Sequence, residues 1–415
     1  MVESLGRAER LPAPTETAFE LKDKKFTFET YNIGKSKDLP NPGLMTTGEW
    51  RQSIEAWKGK AMPPLISDVW KQYENIPYTF GHAENSRIYG DYTTQRGMDE
   101  FKDADLRITN DPFSPPDWAR ELWRYAELKE RRTFVKDETL ACMRGVELKN
   151  DGTVRFVVGA GSYSQGFYSM GSEGVVTGLS AQERERAGGD AELDALNAKL
   201  VSAYGEGKSL RKIIAEREEH LPAFGEQVYN HMLGVAGTVL TKDNKFVFVR
   251  RGKNISVNQG INVTASGAVA FDKDALSRLG IQEHLASAMA KEAREEAGLK
   301  SGVLVLGAIQ EKIRLELGVS ETEYDIIPVG FARELPRGGS PEFMFLLRYR
   351  DTAQELVKTI MQNDNPDRAE IDELVYVMPA SDAKSLVETE GSSAVIHHKA
   401  ILNLIFSIEY LKNNS

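Results

Sequence analysis

Cysteine is almost absent from this sequence. Its single thiol, Cys142, excludes an internal disulfide framework and suits a reducing compartment. The surrounding Thr139-Leu-Ala-Cys-Met143 has the look of a strand, so the thiol reads as buried and structural rather than nucleophilic. Histidine is sparse as well: there are six, with His397-His398 the only adjacent pair. No His/Cys spacing suits zinc, and no Ser-His-Asp set can be drawn from residue order. Long apolar runs are missing, so nothing approaches membrane-spanning length, and the N-terminus lacks the apolar segment of a secretory signal. Positive charge is in deficit. Lys plus Arg number 52 against 62 Asp plus Glu, a formal net charge of −10. That balance argues against a general nucleic-acid binder or an anionic-membrane binder. The expectation is a soluble, cytoplasmic protein.

What is present is ordinary for a globular chain: 41% hydrophobic and 27% charged residues over 415 positions. The length suggests two domains or one heavily elaborated domain. Three regions are expected: 1–132, 133–230 and 231–415. Residues 1 to 25 are polar and Pro-containing and read as an irregular arm. Helical patterns follow around 47–59, 66–75 and 116–132, the last opening with Ser114-Pro-Pro-Asp-Trp118. All five tryptophans, Trp50, Trp57, Trp70, Trp118 and Trp123, lie in this first region. Their clustering implies a separate core there, in preference to an aromatic-lined site for a base or sugar.

The middle region changes character. Thr139–Leu148 and Thr153–Ala160 alternate as strands across Asn150-Asp151-Gly152, a hairpin signal. Gly159-Ala-Gly-Ser-Tyr-Ser-Gln-Gly166 could cradle phosphate through backbone amides, yet no Lys-Ser/Thr pair or dinucleotide-type spacing follows it. Residues 180–219 are helical and charged, with Ser180 and Glu183 at capping-box spacing and a break at Gly188-Gly189.

Residues 291–299, Lys-Glu-Ala-Arg-Glu-Glu-Ala-Gly-Leu, concentrate the chemistry. Glu292, Glu295 and Glu296 fall on one stripe of a helix. Like charges so placed cost roughly a few tenths of a kcal/mol per pair, which a divalent cation with a taste for oxygen would offset. Leu285, Ala286, Met289, Ala290, Ala293 and Ala297 form a small-residue face for packing, and Gly298 is a natural helix stop. Upstream, Val235–Leu240 reads as a buried strand, Thr241–Lys245 as a turn and Phe246–Arg251 as a second strand, before a loop and Gly267. Downstream, strands are expected at Val303–Ile309, Tyr324–Phe331, Phe343–Tyr349 and around Glu370–Val377, followed by an apolar C-terminal helix.

This order and spacing resemble the Nudix hydrolases, whose box reads Gly-x5-Glu-x7-Arg-Glu-U-x-Glu-Glu-x-Gly-U, U being aliphatic. Glu283, Glu292, Ala293, Glu295, Glu296, Gly298 and Leu299 fall on it in register. Lys291 replaces the Arg, keeping the charge and losing the bidentate fork. Ser277 stands at the opening Gly, for which Gly267 is the better candidate if about ten residues are inserted after it.

The resemblance implies a mixed α+β/α/β architecture: a Nudix α/β/α sandwich with a mixed sheet over 231–415, joined to a mainly helical, Trp-rich N-terminal region with a β-hairpin. It implies Mg²⁺, with Mn²⁺ as a substitute, held by Glu292, Glu295, Glu296 and the Gly267 carbonyl. Arg250, Arg251, Arg333 and Arg337, with Arg314, are the candidates to meet substrate phosphates, for which Arg is well shaped. Glu370, Asp372 and Glu373 stand where the family has an acidic loop able to add a ligand or a general base. The implied substrate is a nucleotide-type small molecule: a nucleotide sugar, ADP-ribose or dinucleotide. A Nudix-fold sensor or scaffold with lost activity is the alternative. The N-terminal half is then available to close over the site, to form a homodimer surface or to recruit a partner.

Overall fold

The computed structural model describes residues 11, 13–21, 23–33, 78–79, 105–109, 111–130, 137–148, 154–170, 175–218, 221–251, 260–271, 301–334, 337–363, 371–389 and 395–414. In chain order the strands before the first helix are β1 (Thr15–Leu21), β2 (Lys24–Asn32), β3 (Tyr78–Thr79) and β4 (Asp105–Thr109). Helix α1 (Asp117–Glu130) precedes β5 (Thr139–Leu148) and β6 (Val154–Ser162). Four helices follow: α2 (Tyr163–Met170), α3 (Ala181–Ala187), α4 (Ala191–Tyr204) and α5 (Leu210–Arg217). Then come β7 (Gly234–Leu240), β8 (Lys245–Arg251), β9 (Gly260–Asn262) and β10 (Ala265–Ala268). Helix α6 (Ser301–Lys312) runs on through a π-turn (Ile313–Leu317). The last elements are β11 (Tyr324–Glu334), β12 (Ser340–Tyr349), α7 (Ala353–Gln362), β13 (Ile371–Pro379), α8 (Ala380–Val387) and α9 (His398–Asn413).

A ten-stranded mixed sheet runs in the order β1-β2-β13-β8-β7-β12-β11-β3, with β10 paired to β7 and β9 to β8. Strand β7 (GVAGTVL) is buried along its whole length and pairs in parallel with β12, Gly234 opposite Glu342 and Leu240 opposite Arg348. A continuous apolar run of this kind suits a strand covered on both faces. Side chains alternate between two cores with the two-residue period of a strand. Val235, Val247, Phe343, Phe345 and Leu347 face the core closed by α6 and α7, through Ile309, Ile313, Leu356 and Ile360. Ala236, Phe246, Phe248, Met344 and Leu346 face the core closed by α8 and α9, through Leu386, Ile401, Leu404 and Phe406. The result is a mixed α/β architecture with helices on both faces of a mixed sheet.

Strands β4, β6 and β5 form a second, three-stranded sheet. The β5–β6 hairpin packs against the larger sheet: the Phe156 ring lies 6.2 Å from that of Phe331 and 5.9 Å from that of Phe343. It is part of a sheet rather than a lone hairpin, because β4 joins it in parallel from the N-terminal region.

Three expectations are corrected. The first residues are not wholly an irregular arm, since β1 and β2 pair and β2 joins β13. Phe28 is fully buried, edge-on to Phe248 and Tyr376, which gives the short alternation in Lys24–Asn32 an apolar destination. The described residues before 132 hold four strands and the helix expected near 116–132. Trp123 packs in a third cluster with Leu140, Leu200, Ile214 and Tyr229, and its indole N–H donates to Val228 O, so its core is shared with residues up to 232. Trp50, Trp57 and Trp70, and the helices expected at 47–59 and 66–75, lie outside the described residues. Finally, Val303–Ile309 belongs to helix α6, not a strand. Short apolar runs fit either period, and it is the continuation through Ile313 and Leu317 that decides for the helix.

The remaining connector follows its local signals. Ser180 caps α3 in a reciprocal capping box with Glu183, and Gly188 ends the helix in the left-handed region at φ 61°.

Helix α9 comes close to the sheet at Gly330, beside the β11 bulge between Pro328 and Gly330. A methyl group built there overlaps the Phe406 ring. Gly330→Ala is therefore expected to destabilise the fold by about 1–3 kcal/mol through overpacking. Urea unfolding measures it, and an unchanged midpoint would refute the close contact.

Candidate functional site

Gly267 is the one expected metal ligand among the described residues; Glu292, Glu295 and Glu296, with Glu283 and Lys291, lie outside them. Gly267 sits in β10 opposite Val235 of β7. Helix α6 crosses this end of the sheet, and the stem of Lys312 lies on the Gly267 backbone. A Cβ at Gly267 would stand 3.0 Å from Nζ and would overlap Cε. The Lys312 ammonium is 3.7 Å from Oε1 of Glu316, whose side chain is fully buried while that of Lys312 is 20% exposed. Asn363 Nδ2 donates to Leu315 O at 2.9 Å and to Glu316 O at 3.1 Å, satisfying carbonyls that a helix end leaves open. Gly318 then closes the turn at φ 71°.

On the other face of the same sheet end lies a dry cluster of charge. Gly234 pairs with Ala268 on one side and Glu342 on the other, so the Gly267 strand and the Glu342 strand flank β7 at one level. Lys399 donates to Oε1 of Glu342 at 2.6 Å, with both side chains almost wholly buried. Oε2 of Glu342 occupies the space where Gly234 lacks a Cβ. One strand away, Oε1 of Glu334 meets Nε2 of His398 at 3.3 Å, and its Oε2 meets Arg337 at 3.4 Å. His397 stacks on His398 with ring centroids 3.8 Å apart, and its Nδ1 accepts the Lys399 backbone N–H at 3.1 Å, capping α9.

The two carboxylates are driven apart. Burial alone would raise Glu334, but His398, then Arg337 and Lys399, outweigh it and hold the carboxyl well below the usual range. Burial pushes Glu342 up, Lys399 pulls it down, and the charge of Glu334 adds to the upward push. His398 is held down by burial, which its bond to Glu334 only partly offsets. Sequence reading missed this cluster. The available signal was charge inside apolar periodicity: Glu342 in a buried strand, Lys399 near the start of an apolar helix, and Glu316 on the stripe of Ile309, Ile313 and Leu317.

Three of the expected phosphate-binding arginines, Arg333, Arg337 and Arg314, have partners within the protein. Arg333 is fully buried, donating to Gly339 O at 2.9 Å and Pro222 O at 2.6 Å, with its guanidinium 4.5 Å from the Phe224 ring centroid. It ties the β11–β12 turn to residues 222–231, which departs from the expectation of a phosphate-facing group; burial in strand alternation decided its direction. Arg337 serves Glu334, and Arg314 is exposed and pairs with Glu311 at 2.8 Å. Arg250 is buried in β8, and the backbone of Arg251 at the end of that strand pairs with Gly260 and Ile371. Asp372 and Glu373 are on β13, and Glu370 is outside the described residues.

Two other candidates resolve differently. The glycine-rich 159–166 segment runs from β6 into α2, and Asp137 occupies its amide end, accepting from Ser164 N at 2.8 Å and Ser164 Oγ at 2.7 Å. An internal carboxylate thus takes the place offered to a phosphate. Cys142 is buried and its thiol is pushed up to about 12 by burial, as befits a structural residue. A pocket of about 510 Å³ lies between the end of α1, α3 and residues 175–180, and none of its lining residues is an expected site residue. Among the described residues no three His, Cys, Asp or Glu side chains gather as a metal site, and no helix is long and apolar enough to cross a membrane.

Fold and site together define a mixed α/β protein with a charged, glycine-lined end to its central sheet. No family model matches the chain, and no curated protein does. Among solved structures it is similar to the crystal structure of DR0079 from Deinococcus radiodurans, at 14% identity and a TM-score of 0.26, over 43% of this chain and 83% of that one.

Two outcomes are expected of the buried charges. Lys399→Met leaves Glu342 buried without its cation and should cost about 3–5 kcal/mol, whereas Lys399→Met combined with Glu342→Gln should cost clearly less. Equal losses in denaturant titration would refute the pairing. Burial holds the folded His398 imidazole below its ordinary value of about 6.5, at which the unfolded imidazole protonates. Stability should therefore fall as pH drops below 6.5, by up to about 1.4 kcal/mol per pH unit from this group. Glu342 acts in the opposite sense, so the contrast between wild type and His398→Gln carries the test. The variant should lose that slope between pH 6.5 and 5, and parallel curves would rule it out.

Proposed function

We propose that the chain is a Mg²⁺-dependent hydrolase acting on the pyrophosphate linkage of a nucleoside diphosphate derivative. The observation that carries the reading is the set Glu292, Glu295 and Glu296 at Nudix-box spacing, C-terminal to a glycine, Gly267, on a strand beside the central β7. By resemblance the three glutamates hold the metal and the Gly267 carbonyl adds an oxygen. An all-oxygen donor set of this kind suits a hard cation. The bound ion supplies neutralisation of the pyrophosphate oxygens and a more acidic water. By the same resemblance the chain's own part is to supply the three carboxylates as ligands and Lys291 in the place of an orienting arginine. Arg250 and Arg251 end the neighbouring strand β8. A single cysteine fits a reducing cytoplasm.

One observation favours a second reading, a ligand-sensing or scaffold protein with lost activity. Among the described residues the helix packed against Gly267 is α6, which brings the Lys312 ammonium there, and the π-turn after it carries the buried carboxylate Glu316.

Phosphate release from nucleotide sugars, ADP-ribose and dinucleotides, with Mg²⁺ and with EDTA, separates the two. Wild type should release phosphate only with metal, after treatment of the products with a phosphatase. Glu296→Gln should lower the rate by roughly 100-fold or more, an amount in keeping with about 3 kcal/mol of transition-state stabilisation. Equal inactivity of both proteins across the panel would sink the hydrolase reading.

A further inference from the structure

The cavity of about 510 Å³ at the end of α1 lies within the usual size range of a small-molecule site. Its wall is built from the end of α1, residues 175–180, helix α3 and Glu206-Gly207. One side of it is pinned from beneath. The Lys129 side chain is 6% exposed, and its ammonium donates to Val176 O at 2.7 Å and Gly178 O at 2.6 Å. Thr177 ties the same strip to the next turn: its N–H donates to Lys208 O at 2.9 Å, and its carbonyl accepts from Gly207 N at 2.8 Å. Val175 and Leu179, both buried, add apolar surface to the lining.

Five charged side chains line the cavity: Lys129, Glu130, Glu183, Arg186 and Glu206. Lys129 meets Oε1 of Glu183 at 3.4 Å, and Oε2 of Glu183 accepts from Ser180 N at 2.7 Å. Glu130 has an interaction of its own. Arg186 and Glu206 have no ion pair among the described residues, with each other or with any third group. Glu206 is set over the strip by a glycine. Gly178 adopts φ 93°, and a Cβ built on it would stand 3.0 Å from Oε1 of Glu206 and overlap its Cγ.

An unpaired guanidinium and an unpaired carboxylate on one cavity suit a ligand that carries both charges. A ligand carboxylate matches the fork of an arginine, and a ligand ammonium matches a glutamate. We propose that this cavity binds a free amino acid with an apolar side chain, its carboxylate on Arg186, its ammonium on Glu206 and its side chain toward Val175 and Leu179. Such a site is independent of the hydrolase reading.

The test is calorimetric titration of the full chain with L-leucine and with L-phenylalanine. Each is compared with its amide, which lacks the carboxylate, and its N-acetyl form, which lacks the ammonium. Wild type should bind at least one of the two amino acids, and its blocked forms roughly 10-fold more weakly or worse. Arg186→Met should bind that amino acid as weakly as wild type binds the amide, and Glu206→Gln as weakly as wild type binds the N-acetyl form. Both side chains are exposed, so both variants should melt near the wild-type temperature. No binding of either amino acid by wild type, equal binding of the blocked forms, or wild-type affinity in both variants would overturn the proposal.

Discussion

The parallel pairing of β7 with β12 is the constraint on which the rest of the molecule depends. The two strands are more than 100 residues apart in sequence, yet seven consecutive residue pairs register between them, Gly234 with Glu342 through Leu240 with Arg348. A parallel pair needs both faces covered, and each helix layer answers to one face. Glycine makes the pairing possible at two places. At Gly237, an added Cβ would press on Leu347 and Ile309, the residues through which β12 and α6 meet the strand. At Gly234 the missing side chain accommodates the Glu342 carboxylate. The centre of the sheet is therefore thin, and the neighbouring layers close on it directly.

That thinness explains why charge can be buried at the sheet end. Helix α9 opens with His397, His398 and Lys399, and the Lys399 ammonium stands at the end of a helix dipole that prefers anions. Glu342 and Glu334 face those residues from β12 and β11, and they offset the mismatch in a place water does not reach. A buried ion pair contributes little net stability compared with apolar packing, yet breaking it is costly. The arrangement thus fixes where α9 begins and how the β11–β12 turn meets it. The strand carrying Gly267 is bound to the same end of β7, so the candidate site inherits a rigid wall.

Much of the sheet was legible in the sequence because its strands carry their own period. The runs around Val235–Leu240, Phe246–Arg251 and Phe343–Tyr349 needed only local alternation or continuous burial to be read. So did the capping box of Ser180 and Glu183 and the hairpin on either side of Asn150-Asp151-Gly152. Other elements depend on partners far along the chain. Thr15–Leu21 looks polar in isolation and becomes a strand because Phe26 and Phe28 on its neighbour find Phe248 and Tyr376. Val303–Ile309 has strand-like residues, and its helix follows from a stripe completed only at Ile313 and Leu317. Arg333 reads as a phosphate binder by residue type. Its direction was settled by strand alternation, which turns it toward Phe224 and the Pro222 carbonyl. Charges within apolar stripes were the signal left unused.

Gly267 shows how one residue can satisfy two requirements that sequence alone does not separate. Glycine on a strand permits close approach of a ligand to the backbone, and it equally permits close approach of a neighbouring side chain. Here the neighbour is Lys312, whose stem fills the space and whose ammonium remains beside the strand. A side chain that merely sealed the gap would be apolar, since burying a lysine stem next to a buried carboxylate brings a desolvation cost that a leucine would not. The ammonium of Lys312 lies 3.7 Å from the buried Glu316 carboxylate, so the position of the stem on the glycine also places a charge. The glycine and the lysine thus form one feature, in which the bare backbone sets where the lysine stem and its ammonium lie.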